Sequence, residues 1–407
     1  MATARPLSRS NAPIFFTFFT WGFGTGAQQL ARPLFALALT GNVYLVALVI
    51  GLNAVPRLFT GPLTGYLSDR IGRKPLVIIG ASLRGATNIV QFLAPDFMTF
   101  LAMEFIGQIG VSMWNTSSNV LMADVTDTRN RGRVMAVRQM SLRVGFILGP
   151  ALGGVLAVAF GLRSLFLLNA VSKVVIVLVV WLMVSETRPD RAAETSERTR
   201  RPLKERLRPF VNLSFVALAV AIIGQAMAQT ALLQTLLPVY AQEVFEAGES
   251  SVGLLISVAA VLAFLVAFPN GVISDRFGRK FSLVPALLLI SAASFLLSWA
   301  GDFGWILVAV AVQGSGEGMG MGTAQSYAMD MAPVERRGAY LGVVQMFQAA
   351  GGLMGPFLIT VLYNEISPRF AFASLGVWLA FAAVLMAFGA KETAGRRVAA
   401  QRHDLEG

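Results

Sequence analysis

Twelve predominantly apolar stretches alternate with short polar breaks along the chain, at 13–37, 43–66, 75–94, 97–122, 134–160, 163–184, 210–238, 251–273, 281–300, 303–328, 339–363 and 369–390. Each approaches the roughly 20 residues that a helix needs to cross a bilayer. Backbone exposed to lipid must satisfy its own hydrogen bonds, so the pattern predicts helices rather than open strands. Composition supports the same environment. Hydrophobic side chains make up 55% of the 407 residues and charged ones 14%, with a mean hydropathy of +0.65. A soluble globular chain carries about a quarter charged residues.

The placement of charge orients the spans. Basic residues gather in every second break: Arg70, Arg73 and Lys74; Arg129, Arg131 and Arg133; the run from Arg188 to Arg208; Arg276, Arg279 and Lys280; Arg336 and Arg337; and Lys391, Arg396 and Arg397. The alternate breaks, such as GNVY at 41–44, carry almost none apart from Arg163 and Arg369. By the positive-inside rule, the basic breaks and both termini are cytoplasmic, which an even number of spans allows. The net charge of +11 is therefore spread as a topology signal. It does not form the single basic face of a nucleic-acid binder. The N-terminal apolar run, preceded by Arg5 and Arg9, lacks a small-residue cleavage site and reads as the first span.

Several chemistries find no support. There are no cysteines, and the sole histidine, His403, lies in the polar tail. No nucleophile–base–orienter set, metal-ligand cluster, phosphate loop or nucleotide-binding domain is apparent. The sequence therefore predicts neither an enzyme nor a cofactor or metal site.

An internal repeat organises the chain. GYLSDRIGRK at 65–74 returns as GVISDRFGRK at 271–280, an offset of 206 (271 − 65 = 206). The same register pairs Asp124 with Asp330, Gln139-Met140 with Gln345-Met346, Gly145 with Gly351, Gly149-Pro150 with Gly355-Pro356 and Glu186-Thr187 with Glu392-Thr393. It predicts two homologous six-helix bundles, 1–184 and 210–390, joined by a charged, flexible linker at 185–209 and followed by a cytoplasmic tail at 391–407.

The doubled decapeptide and the two-times-six layout closely resemble the major facilitator superfamily of secondary transporters, whose halves are parallel repeats. The resemblance covers essentially the whole chain. It implies an all-α membrane fold and a cytoplasmic latch of Gly65, Asp69, Arg70, Gly72, Arg73 and Asp124, with Asp275, Arg279 and Asp330 at the corresponding second-half positions. Charges in such loops also serve topology alone, and that reading stays open. The glycines fit a tight turn, because glycine adopts positive φ without a steric penalty.

In the fifth span, GFILGPALGG places Gly145, Gly149 and Gly153 on one helix face, where a second helix can approach closely, and Pro150 invites a bend; Gly154 completes the motif. It resembles the antiporter signature of drug and metabolite efflux members. The second-half copy, GGLMGPFLIT, keeps Gly351, Gly355 and Pro356 but loses the trailing glycine pair, as in those members. One feature departs from them: where the fourth helix commonly carries an arginine, this chain reads FLAMEFIGQIG, with Glu104 near that position.

Ionisable residues inside spans are functional candidates, because a charge at the bilayer centre costs at least ~2.5 kcal/mol. The acids are Glu104 and Glu317. Glu317 reads either as a proton or substrate site or as a structural partner of another helix. Depth along the helices predicts a Glu104–Arg143 ion pair. Arg57 and Arg143 lie on helices that line the cavity in this fold, whereas Arg84 and Lys173 lie on outer helices and read as structural. Gln28, Asn115, Asn119, Gln225, Gln229 and Gln345 are candidates for the cavity wall, together with Gln29 and Gln348, although each also fits as interhelical glue.

The resemblance thus predicts a monomeric transporter in a lipid bilayer, the inner membrane of a bacterium, working by alternating access. Proton-driven efflux of small amphipathic, neutral or anionic compounds is the leading reading. Proton-coupled uptake of an organic anion or other metabolite is the alternative.

Overall fold

The computed structural model describes residues 12–124, 131–184, 212–332 and 337–393. The linker at 185–209 lies outside these ranges, and within them the side chains of Arg57, Asp69, Asp124 and a number of other residues are outside the description. The fold is that of an all-α membrane protein.

The helical segments form the spans of the two halves. In the first half they are Ala12–Thr40; Val43–Leu52 with Ala54–Ile71; Arg73–Leu93; Phe97–Asp124; Arg131–Phe160; and Ser164–Met183. In the second half they are Leu213–Met227 continuing through Ala228–Leu236 to Leu237–Phe245; Glu249–Phe277; Arg279–Ser298; Phe303–Met331; Arg337–Glu365; and Pro368–Gly389. Among the described residues, nine helices are long and apolar enough to cross a membrane. The first and tenth spans, 29 residues each, also have the length, but polar residues such as Gln28, Gln29, Arg32, Gln313 and Glu317 dilute their apolar runs. Large exposed side chains such as Phe268, Trp299 and Phe388 are what a lipid-facing surface requires.

Local signals set the helix ends. Asn212, Asp302 and Ser367 are extended N-cap residues whose side chains accept from the backbone N–H groups of Phe215, Trp305 and Phe370. Each satisfies a donor that the first helical turn leaves unpaired. Asp96 accepts from Thr99 N at 2.8 Å in the same way. The hydrogen bonds from Thr99 hold its carboxyl below the usual carboxylate range. Gly72 and Gly278, the equivalent glycines of the repeated decapeptide, precede the third and ninth spans at φ of 107° and 117°. Those values explain why both copies need glycine.

The chain divides into two compact units, Met1–Thr195 with Gln242–Ser257, and Ser196–Ala241 with Val258–Gly407. In the first unit the fifth span lies against the first along its glycine face. A Cβ on Gly149 would fall 2.7 Å from Ala27 N, and one on Gly145 would fall 2.6 Å from Phe23 N. Gly154 faces the start of the eighth span, where a Cβ would come 2.9 Å from Glu249 O, and Ser257 Oγ donates to Ile147 O at 3.0 Å. Gly80 and Gly110 let the third and fourth spans cross closely, with a Gly80 Cβ only 2.7 Å from Trp114 N.

The second unit repeats the close packing of the fifth span on the first and of the fourth on the third. Gly351 and Gly355 of the eleventh span lie against Ile223 and Met227 of the seventh, and Gly316 of the tenth lies against Ala286 of the ninth. Lys74 Nζ donates to Trp181 O at 2.8 Å and Lys280 Nζ to Ala387 O at 2.6 Å, each partner displaced by 206. The seventh span departs from regular helix: Ala228–Leu236 winds as a π-helix, and Thr235 Oγ1 donates to Thr230 O, five residues back. Such wide turns recur at functional sites.

Candidate functional site

In the second unit the seventh, ninth, tenth and eleventh spans surround a cleft of about 530 Å³, part of it open to solvent. Its walls are apolar at Ile222, Ala226, Ile290, Ala324 and Val344, and polar at Gln225, Gln229, Gln325, Gln348 and Glu317. Gln225 and Gln229 follow one another along the seventh span, on either side of the point where its π-helix begins. Gly320 keeps room for the Gln225 amide, since a Cβ there would collide with Gln225 Nε2. That nitrogen is buried with no hydrogen-bond partner among the described residues. A mostly apolar cleft with a few convergent polar groups is the form that small-molecule sites take. Glu317 is the ionisable side chain in its lining.

The first unit holds a second polar cluster, enclosed rather than open. Glu104, 1% exposed, is paired with Arg32 Nε at 3.3 Å and with Arg84 Nη2 at 3.0 Å. Gln108 donates to its Oε1 at 2.9 Å and Gln91 to its Oε2 at 2.8 Å. Glu104 therefore takes its ion pairs from the first and third spans, not from Arg143 as depth alone predicts. The close third–fourth crossing at Gly80 and Gly110 is what brings Arg84 to it. A Cβ on Gly107 would itself meet the Arg84 guanidinium.

Gln28 joins this network and not a cavity wall. Fully buried, it donates to Asn88 Oδ1 at 2.9 Å and to Gln91 Oε1 at 3.0 Å, and its Oε1 accepts from Arg84 Nη2 at 2.8 Å and from Asn169. Lys173, expected to be structural, is enclosed in the same cluster. Asn115 and Asn119 are exposed along the fourth span. Gln345 is exposed, and its neighbour Gln348 is the eleventh-span glutamine that reaches the cleft.

At the cytoplasmic end of the second unit, Arg279 brings together the residues that the repeat singles out. Its Nη1 donates to Asp275 Oδ1 at 2.5 Å and its Nε to Asp330 Oδ2 at 3.1 Å. Glu392, just beyond the twelfth span, accepts from the backbone N–H groups of Arg279 at 2.9 Å and Lys280 at 3.1 Å, so its carboxylate caps the ninth span. Tyr327 OH donates to Lys391 O at 2.7 Å and fixes the same segment. In the first-half copy, Arg73 is buried and Arg70 exposed. Gly65, Asp69, Asp124 and Arg57 lie outside the described side chains. Among the described residues, no group of three or more His, Cys, Asp or Glu is placed to hold a metal ion.

Comparison with known proteins agrees with this architecture. The sequence matches the Major Facilitator Superfamily over residues 14–248 and 226–405. It is 27% identical to the class H tetracycline resistance protein of Pasteurella multocida over 329 residues, 78% of each chain. It is 21% identical to Multidrug resistance protein 2 of Bacillus subtilis (strain 168), over 79% of this chain and 80% of that protein. Among solved structures, a POT family transporter in complex with a thioalcohol-conjugated peptide superposes with a TM-score of 0.79 at 14% identity, covering 93% of this chain and 95% of that one. A D-xylose-proton symporter superposes at 0.76 and 18% identity, covering 94% and 98%. With both halves matched and the membrane fold in place, the chain belongs to the Major Facilitator Superfamily of transporters.

Proposed function

We propose that the protein exports small amphipathic compounds in exchange for protons, by alternating access. The observation that carries this reading is the second-unit cleft, where apolar walls surround one carboxylate, Glu317, and four glutamine amides. The apolar surface takes the body of a lipophilic compound and the amides take its polar edge. Glu317 is the group at which proton and compound compete. Relatives named for tetracycline and multidrug resistance support efflux as the direction.

The same cleft weighs against the uptake of an organic anion, because its carboxylate repels a second one at short range. The interior cations Arg32 and Arg84, which favour an anion, are already paired with Glu104. In this reading the Asp275–Arg279–Asp330 network is part of a cytoplasmic latch that opens and re-forms with each cycle, and the antiporter-type glycines are its rigid packing counterpart. The protein works as a monomer in the inner membrane of a bacterium, with both termini cytoplasmic and with bundles 1–184 and 210–390 as its two moving halves.

The test uses energised inside-out membrane vesicles, a dye that reports the pH gradient, and a panel of drugs, lipophilic compounds and organic acids added one at a time. Recovery of the dye signal that needs the protein and is lost in Glu317→Gln supports the proposal. Absence of recovery across the panel, with protein-dependent uptake of an organic acid by whole cells, overturns it.

A further inference from the structure

The buried cluster of the first unit holds more positive charge than its carboxylate balances. Arg32 and Arg84 share Glu104, and the other contacts of that carboxylate are the amide donors of Gln91 and Gln108. Glu104 thus meets donors on both oxygens, the surroundings of an acceptor-only carboxylate. Lys173, on the sixth span, is a third cation at 1% exposure. Its Nζ donates to Asn169 Oδ1 at 2.7 Å and lies 3.3 Å from Thr25 Oγ1 and 3.4 Å from Ser172 Oγ. It stands 4.0 Å from the centre of the Trp21 ring, which is stacked on Trp114. Among the described residues no carboxylate pairs with it. The charges that act on it from the packed helices are those of Arg84 on the third span and Arg32 on the first, both positive.

The four ionisable groups differ in what a proton transfer would break. Arginine does not lose its proton in proteins. Protonating Glu104 would place an O–H against donors and weaken two ion pairs. Lys173 can release a proton without breaking an ion pair, and doing so lowers the excess buried charge. Its surroundings accommodate either form: Asn169 Oδ1 accepts from the ammonium, and the Thr25 and Ser172 hydroxyls can rotate to donate to the lone pair of the amine. Asn169 and Gln28 connect it to the ion pairs, since Gln28 Oε1 accepts from both Asn169 and Arg84.

We propose that Lys173 is a proton-carrying group of the transport cycle, additional to Glu317 and housed in the other unit. The step is the breaking of one N–H bond of the ammonium, with the proton passing to water when the cycle opens this cluster and returning from water on the opposite side. The proposal rests on the proton-coupling reading above.

The test separates the two. Purified protein carrying [6-¹³C]lysine has five labelled side chains, Lys74, Lys173, Lys204, Lys280 and Lys391, and proton–carbon correlation spectra are recorded from pH 5 to 10. One signal, absent from Lys173→Arg, should move with pH over a range in which the other four stay still. A Lys173 signal that stays fixed throughout, or moves only together with the others, overturns the proposal without reference to transport. In reconstituted vesicles, Lys173→Gln and Lys173→Met should lower the number of protons exchanged per exported molecule, by half if Glu317 carries the other. An unchanged proton count overturns the proposal and leaves antiport standing. A wild-type protein that exports without moving protons removes the antiport reading itself, and the proposal with it.

Discussion

Glu104→Gln isolates the electrostatic claim about the first unit. The substitution keeps the side-chain volume but replaces the carboxylate between Arg32, at 3.3 Å, and Arg84, at 3.0 Å, with a neutral amide. Both arginines then remain in an interior where Arg84 and position 104 are each 1% exposed. Removing one member of a buried ion pair costs ~3–5 kcal/mol, mostly because the partner is left uncompensated. Exposed pairs are worth at most about 1 kcal/mol, so burial decides the magnitude here. For a domain of 150–250 residues, each kcal/mol moves the thermal midpoint by ~2–4 °C, which predicts a loss of about 6–20 °C. The midpoint is read by size-exclusion chromatography of heated, detergent-solubilised protein, with retention of the monodisperse peak as the signal. Arg84→Gln combined with Glu104→Gln removes one uncompensated charge and should cost less than the sum of the single changes, as expected for coupled neighbours. A Glu104→Gln midpoint within 2 °C of wild type would refute the reasoning, since a carboxylate that balances two buried guanidiniums cannot be removed so cheaply.

Three further outcomes follow from the packing and the caps. Gly149→Val should prevent the first and fifth spans from closing, because even a Cβ at Gly149 falls 2.7 Å from the Ala27 backbone; the check is the yield of folded protein against the milder Gly153→Ala, whose Cβ meets Ala27 Cα at 3.2 Å. Glu392→Ala should cost about 1 kcal/mol, the usual worth of an N-cap, and faster hydrogen exchange at the start of the ninth span would report it. Asp96 gives a pH effect of defined sign: its carboxyl is held below the usual range by hydrogen bonds from Thr99. Its contribution to stability is therefore present above the unfolded-state value and is lost as pH falls through the folded-state one. Asp96→Asn should narrow the difference in stability between neutral and acid pH, and an unchanged difference would show that the cap is not formed.

The repeat made much of the fold legible. The offset of 206 read in the sequence marks Gly72 and Gly278 as equivalent turns, and both have positive φ; the crossings at Gly110 and Gly316 and the carbonyls reached by Lys74 and Lys280 follow the same offset, although the sequence alone does not single them out. Both cleft glutamines of the seventh span and Glu317 were also visible as polar positions in apolar runs. The pairing of Glu104 was not. Depth along a helix is readable from residue counts, but the direction in which a side chain faces depends on how the helices are rotated. Arg143 matches Glu104 in depth, whereas Arg84 and Arg32 are the residues turned toward it. For the same reason the sequence leaves Gln28 between a cavity wall and interhelical glue, and its hydrogen bonds to Asn88, Gln91 and Arg84 make it glue. The π-helix at Ala228–Leu236 leaves no trace in a hydrophobic pattern read at ordinary helical spacing, and Gln325 stands near the end of a glycine-rich run where such a pattern gives no facing direction.

Export in exchange for protons is tested most directly with the purified protein alone in liposomes, using a radiolabelled compound that scored in the vesicle panel and pH gradients of both signs. Antiport predicts that the compound accumulates when the lumen is acidic, that the lumen becomes more alkaline as it does so, and that a protonophore abolishes both changes. Accumulation that requires an alkaline lumen would mean that compound and proton travel together, and would contradict the account.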